Sequence, residues 1–352
     1  MGDNINTNAL IDLPYAQLLR EHPLAAGFFE QVGLEPPAPQ QSTGELIATL
    51  DEFQLADCGM DAPALQQAFV AYVGRMESIA RAQAQHTREI RILGGVDKDG
   101  APEELDLCVH AGEMVCIVGP TGSGKSRLLE DIEYLAQGDT PTRRRILVDG
   151  AVPSQSMRFA VENKVTAQLS QSMVFVMDLA ANDFLALHAA SRMMDPQCIP
   201  SVVERTLACA NDLAGEPFTP STRLTSLSGG QSRALMIADL AFISSSPIVL
   251  IDEIENAGVD RRRALELLCG QDKIVFVVTH DPLIALMGCK RLVIGNGAVR
   301  SIIEPDDAER TQLRALCTID EELSRIRHAI RSGERVAATF DAAEGGGKEG
   351  GP

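Results

Sequence analysis

The chain of 352 residues is 45% apolar but holds no Trp and only three Tyr, so a sizeable core must be mainly aliphatic. No apolar run reaches the roughly 18 residues that span a bilayer, and Asp3, Asp12 and Pro14 interrupt any signal-like segment, so a cytoplasmic protein is expected. A net charge of −18 repels a phosphate backbone, so no nucleic-acid partner is expected, and the runs Arg143-Arg144-Arg145 and Arg261-Arg262-Arg263 read as solvated edges.

In chain order, residues 1–87 read as a small all-helical docking domain. Leu10, Leu13, Leu18 and Leu19, then Leu24, Ala25, Phe28 and Phe29, recur at helical spacing, and Pro14 and Pro23 fall near helix starts. Glu35-Pro36-Pro37-Ala38-Pro39 is a stiff break. Ser42-Thr43-Gly44-Glu45 then opens a stretch through Leu50, and a further helix is predicted from about Pro63 to Arg81, with Leu65, Phe69, Tyr72 and Val73 on one face. Ile11-Asp12-Leu13-Pro14, His22-Pro23-Leu24-Ala25-Ala26 and Gly33-Leu34 resemble the helical N-terminal domains of iron-sulfur repair proteins. Those proteins carry a Cys pair where this chain has Glu35-Pro36-Pro37, so no redox or metal role carries over.

Glu113 to Val118 is a short apolar strand that feeds Gly119-Pro120-Thr121-Gly122-Ser123-Gly124-Lys125-Ser126, and helix-like residues follow. In such a strand–loop–helix the glycines turn backbone N–H groups onto phosphate oxygens. Lys125 then reaches the β- and γ-phosphates, and the Ser126 hydroxyl suits Mg²⁺. Ile248-Val249-Leu250-Ile251-Asp252-Glu253 reads as a buried parallel strand ending in two carboxylates, of which Asp252 suits Mg²⁺. Between them stands Leu227-Ser228-Gly229-Gly230-Gln231, whose Ser228 and Gly230 open a helix with an anion-binding N-terminus.

This trio resembles the ATP-binding cassette (ABC) ATPases. The resemblance implies an α/β P-loop NTPase of ABC type, a RecA-like core with a β-subdomain and a helical subdomain. It would span 88–303, with the helical subdomain at about 172–240. It further implies MgATP hydrolysis in a head-to-tail homodimer, in which the 227–231 segment of one copy caps the γ-phosphate held by Lys125 of the other. Glu253 matches the residue that polarises the attacking water. His280, 28 residues past Asp252, matches the switch histidine, and Asp260 matches the aspartate that crosses the dimer seam. Gln171 matches the glutamine that senses Mg²⁺ and the attacking water, with Gln168 as its competitor, and Asn182-Asp183-Phe184-Leu185 falls where the family opens a helix.

Three departures stand out. No Phe, Tyr or Trp between Tyr72 and Tyr134 is available to stack on adenine, leaving Ile92 or Leu93 as apolar substitutes. Ile254-Glu255-Asn256 follows Glu253 in place of Pro-Thr, and Phe218 to Arg223 lacks a Glu-Arg-Gly element. The last two favour an ATPase that remodels or activates a partner protein such as a metalloenzyme or assembly factor. The alternative is the ATP-hydrolysing subunit of a transporter with a separately encoded membrane permease. A polar or acidic surface at 172–226 would weaken that alternative. A chromosome-maintenance role is disfavoured by the acidic charge and by too short an insertion for a coiled-coil arm.

A last strand and turn are predicted at Arg291-Leu292-Val293-Ile294 and Gly295-Asn296-Gly297. A helical extension follows over 304–341, and then a disordered Gly-rich tail over 342–352. The eight cysteines form no CxxC pair and no zinc-spaced cluster, so reduced, buried thiols are expected.

Overall fold

The computed structural model describes residues 7–84, 87–159, 164–170, 173, 175–252, 254 and 259–336. The expected tail at 342–352 lies outside the described residues. The first unit comprises α1 (Thr7–Asp12), α2 (Tyr15–Glu21), α3 (Ala26–Val32), α4 (Thr43–Thr49), α5 (Glu52–Asp57) and α6 (Ala62–Ala84). Pro14 precedes α2, and Pro23 opens a short 3-10 turn. Ser42 with Glu45, and Asp51 with Gln54, form reciprocal capping boxes on α4 and α5, satisfying N–H groups that a helix start leaves orphaned.

The apolar stripe of α6 buries Leu65, Phe69 and Val73 against Leu18, Phe28, Phe29 and Ile47. Phe28 meets Phe69 edge to face at 5.2 Å, so this small core is aromatic where the chain at large is aliphatic. Helix α5 carries no buried side chain, which is why no helical period announces it.

The second unit begins with β1 (Glu89–Leu93), β2 (Asp106–His110), β3 (Met114–Val118), α7 (Lys125–Glu133), β4 (Arg145–Val148), α8 (Gln155–Phe159) and β5 (Thr166–Leu169). Helices α9 (Ala181–Ser191), α10 (Ile199–Leu213) and α11 (Gly229–Phe242) follow. The chain then runs through β6 (Ile248–Asp252), α12 (Arg261–Gly270), β7 (Ile274–Val278), α13 (Pro282–Met287), β8 (Lys290–Gly295), β9 (Ala298–Ile303) and α14 (Asp307–Arg331).

Strands β2-β1-β4 form an antiparallel sheet, and β5-β6-β7-β3-β8-β9 a second sheet that is parallel except for β9. The central strands are apolar on both faces. Val115, Ile117, Ile248, Leu250, Ile274 and Phe276 pack with α7 and the antiparallel sheet. Their alternating neighbours Cys116, Val249, Ile251, Val275 and Val277 pack with α11, α12 and α13. Each fully buried side chain of this kind stabilises the fold by about 1.5–3 kcal/mol.

Helices α9, α10 and α11 share a further core around Leu185, Leu207, Leu224 and Leu235. Helix α14 returns to the parallel-sheet side, where Leu313 and Leu316 pack and Arg261 meets Asp320 at 3.2 Å.

Candidate nucleotide-binding site

The parallel strands end together at one edge, and the loop after β3 lies there. Gly119 (φ 151°) and Gly124 (φ 108°) hold backbone conformations that L side chains rarely adopt. A Cβ on Gly119 would stand 2.4 Å from the Ile294 carbonyl oxygen, and one on Gly124 would stand 2.9 Å from Gly297 Cα. The β8–β9 turn is therefore packed directly behind the loop, and the Gly297 N–H donates to the Ser123 carbonyl at 2.6 Å. Lys98, whose N–H donates to the Asn296 carbonyl of the same turn at 3.0 Å, donates from its Nζ to the Gly122 carbonyl at 2.7 Å.

Lys125 opens α7 and is buried, with its Nζ donating to the carbonyls of Gly119 (2.8 Å) and Pro120 (3.1 Å). Pro120, Thr121 and Gly122 are exposed, as is Ser126 at the second position of the helix. Ser123 Oγ is buried with no hydrogen-bond partner among the described residues. An unpaired buried hydroxyl is costly, which makes Ser123 Oγ a candidate donor to a phosphate oxygen.

Asp252 ends β6 half-buried, in register with Val278 of β7. The next residue of that neighbouring strand, Thr279, donates its N–H to the Ile117 carbonyl at 3.2 Å, so exposed His280 emerges beside the strand that carries the phosphate loop. Asp281 caps α13 and accepts from Arg261 at 2.5 Å. Asp260 caps α12 through its Oδ1, which accepts the Arg263 N–H at 3.1 Å. Arg261 thus ties the start of α12 to the residue after His280.

Ser228 is the N-cap of α11. Its Oγ accepts the Gln231 N–H at 3.3 Å, while Gln231 Oε1 accepts the Ser228 N–H at 2.9 Å. Gln231 Nε2 also donates to the Glu216 carbonyl at 3.2 Å, and Leu227 anchors the segment on the helical core. Exposed Gly229 and half-buried Gly230 are the first residues of the helix. Serine and glutamine hold the turn, and the glycines leave its N–H groups accessible. Gln171 and Glu253 lie outside the described residues. Gln168 sits within β5, paired with Leu250.

Several expectations need correction. Ile92 is fully buried in the core and cannot reach a base, whereas Leu93 is half-buried. Arg144 is no solvated edge. Its side chain is fully buried, donating to Glu103 (2.7 and 2.8 Å), Asp131 (2.9 Å) and the Gly297 carbonyl (2.7 Å). Burial opposes its charge, but the hydrogen bonds and charges of Glu103 and Asp131 outweigh that and raise its pKa. This network joins the antiparallel sheet, α7 and the turn behind the phosphate loop, and a run of three arginines gives no sign of it. Arg261 and Arg262 are likewise paired, with Asp281 and Glu321. Of the eight free cysteines only Cys116 is buried, and Cys198 and Cys289 are exposed.

The sequence profile of the family described as ABC transporter matches residues 102–256. An uncharacterized ABC transporter ATP-binding protein of Methanocaldococcus jannaschii is 50% identical over 250 residues, 71% of this chain and 95% of that protein. The lipoprotein-releasing system ATP-binding protein LolD of Bordetella avium is 31% identical over 205 residues, 55% of this chain and 85% of its own. Among solved structures, cbiO1 from Clostridium perfringens, part of the ABC transporter complex cbiONQ, aligns with a TM-score of 0.51. It covers 70% of this chain and 99% of its own at 19% identity, a likeness of fold alone. With half the aligned residues identical across nearly the whole of the methanogen relative, the chain belongs to the ABC transporter ATPase family and is an ATP hydrolase.

Proposed function

We propose that this ATPase is the ATP-hydrolysing subunit of an ABC transporter and works with a membrane permease on a separate chain. Residue patterns alone favoured a partner-remodelling ATPase; the relatives named as transporter ATP-binding proteins support the alternative. The observation that carries the reading is the surface leading into α9. Met173, Val176 and Met177 are 42%, 91% and 45% exposed there, and Leu187 on α9 is 54% exposed. A polar or acidic surface at this place would have argued against a permease. These side chains are apolar, the exposed charges beside them, Asp178 and Arg223, pair with each other at 3.0 Å, and an amphipathic helix of a permease would cover the surface.

In this reading two copies close head to tail on ATP. The loop amides, Lys125 and the Ser123 hydroxyl hold the triphosphate, and Ser228, Gly229 and Gly230 of the second copy cap its γ-phosphate. Glu253 polarises the attacking water, His280 contacts the γ-phosphate, and Asp260 lies at the seam. Ser126 and Asp252 stand at the same carboxyl edge of the sheet as hard oxygen donors, and with Gln171 they would hold Mg²⁺. The ion would supply positive charge against the phosphate oxygens. No helix among the described residues is long and apolar enough to cross a membrane.

A second reading, ATP-driven remodelling of a partner protein such as a metalloenzyme or assembly factor, draws on the N-terminal unit. That unit has its own core and presents Phe53 at 83% exposure. The likeness to iron-sulfur repair proteins belongs to this second reading. The test is capture of partners by full-length Glu253→Gln protein with ATP. A polytopic membrane protein recovered only after detergent extraction, and lost with Val176→Asp, supports the transporter. A partner recovered without detergent, retained by Val176→Asp and lost with Phe53→Asp, overturns it in favour of the second reading.

A further inference from the structure

Away from the phosphate loop, three chemically different donors meet on the outer face of the antiparallel sheet. Strand period two turns Ile90, Ile92, Leu107 and Val109 into the core. The same period puts Glu89, Cys108 and His110 on the opposite face. Glu89 and His110 are direct cross-strand partners, and Cys108 is the diagonal neighbour of Glu89. We propose that Glu89, Cys108 and His110 form a binding site for a divalent transition-metal ion of the zinc class, with a fourth position open to water.

The spacing carries the proposal. Cys108 Sγ lies 3.5 Å from Glu89 Oε2 and 3.9 Å from His110 Nε2, and His110 Nδ1 lies 3.7 Å from Glu89 Oε2. One ligand atom from each residue falls within 4.8 Å of the others. Tetrahedral ligands at metal bonds of about 2.0–2.3 Å are separated by about 3.3–3.8 Å, so the trio closes around an ion by side-chain rotations that bring one His110 nitrogen to both Cys108 Sγ and Glu89 Oε2. One thiolate, one imidazole and one carboxylate suit an ion of intermediate softness. Mg²⁺ and Ca²⁺ demand oxygen shells that this trio lacks.

The scaffold is held on every side. β1 is the middle strand, and the N–H groups of Arg88 and Glu89 donate to Asp149 Oδ1 at 2.7 and 3.1 Å. The His110 N–H donates to Glu113 Oε2 at 2.8 Å, and Lys290 Nζ holds the Cys108 carbonyl at 3.1 Å. Two cations flank the trio, and both face carboxylates that offset their charge toward an incoming ion: Arg91 is engaged bidentately by Asp106 at 2.6 Å, and Lys290 Nζ lies 3.7 Å from Glu113 Oε2. His110 is 58% and Glu89 33% exposed at the side chain, so an ion has a path in. Proximity in sequence shows only Cys-x-His; strand pairing supplies the carboxylate.

The test titrates the reduced, full-length protein with Co²⁺ alone, then measures Zn²⁺ affinity by competition with a chromophoric chelator. One equivalent of Co²⁺ should give tetrahedral visible bands with a thiolate-to-metal charge-transfer band. Cys108→Ser should abolish the charge-transfer band, and Cys108→Ser and His110→Ala should each weaken Zn²⁺ at least tenfold. Cys289→Ser, which removes an exposed thiol elsewhere, should change nothing. No Co²⁺ spectrum, a spectrum without thiolate character, or a signal unchanged in Cys108→Ser would overturn the site. Circular dichroism of each variant separates loss of ligand from loss of fold.

Discussion

Replacing Arg144 by Met tests whether the buried charge network supports the phosphate loop. The Arg144, Glu103 and Asp131 side chains are all 0% exposed, and Arg144 is the cation that both carboxylates face. Met fills much of the arginine volume but removes four hydrogen bonds and leaves two buried carboxylates uncompensated. Glu103 retains the Val299 N–H, a bond of 2.5 Å, and Asp131 retains the Thr142 hydroxyl at 2.7 Å, so the carboxylates are not wholly stranded. Removing one member of a buried ion pair costs about 3–5 kcal/mol. For a unit of this size that lowers the melting temperature by about 6–20 °C. The Gly297 carbonyl also loses its donor, so the turn behind Gly124 loosens and ATP affinity falls with stability. The assay is thermal and urea unfolding beside ATP binding, with exposed Arg143→Ala as a control expected within about 0.5 kcal/mol of the parent. Adding Glu103→Gln and Asp131→Asn should recover part of the loss, because it removes the stranded charges. A loss below about 1 kcal/mol for Arg144→Met, with ATP affinity unchanged, would refute the reasoning.

Glu253→Gln should accumulate an ATP-bound dimer in size-exclusion chromatography, while Ser228→Arg should abolish both closure and turnover; normal hydrolysis by Ser228→Arg would sink the sandwich dimer. Gly124→Ala adds a Cβ 2.9 Å from Gly297 Cα at φ 108°, so ATP affinity should fall at least tenfold, and calorimetry showing unchanged affinity would contradict that close packing. Burial lowers the Lys273 pKa from 10.5 to about 8, although its Nζ still donates to the Ser244 and Ser246 carbonyls. Between those values the unfolded chain holds more protons than the folded one, so the penalty for burying this lysine, up to about 3 kcal/mol below the window, is relieved as pH rises through it. Stability relative to Lys273→Met, measured by urea unfolding from pH 8 to 10, should therefore rise with pH, and a flat or falling difference would exclude a buried, depressed lysine.

Sequence by itself determined the elements whose information is contiguous. The strand–loop–helix at 114–133 declares itself through an apolar run, spaced glycines and Lys125, because phosphate binding needs those residues in that order. The β6 strand and the cap at Ser228 are equally local, since burial on both faces and an S-x-x-Q box both leave short patterns. Tertiary structure alone decided what depends on distant chain segments meeting. Arg144 reaches Glu103 41 residues away and Gly297 153 away, so one member of a basic run in the sequence becomes a fully buried charge. Ile92, one of the two residues offered as an apolar substitute for a base-stacking aromatic, is drawn into the core because its strand alternates with period two against β2 and β4. The same register that hides Ile92 brings Glu89 to Cys108 and His110. Side-chain chemistry was written in the chain, but strand pairing selected which groups became neighbours.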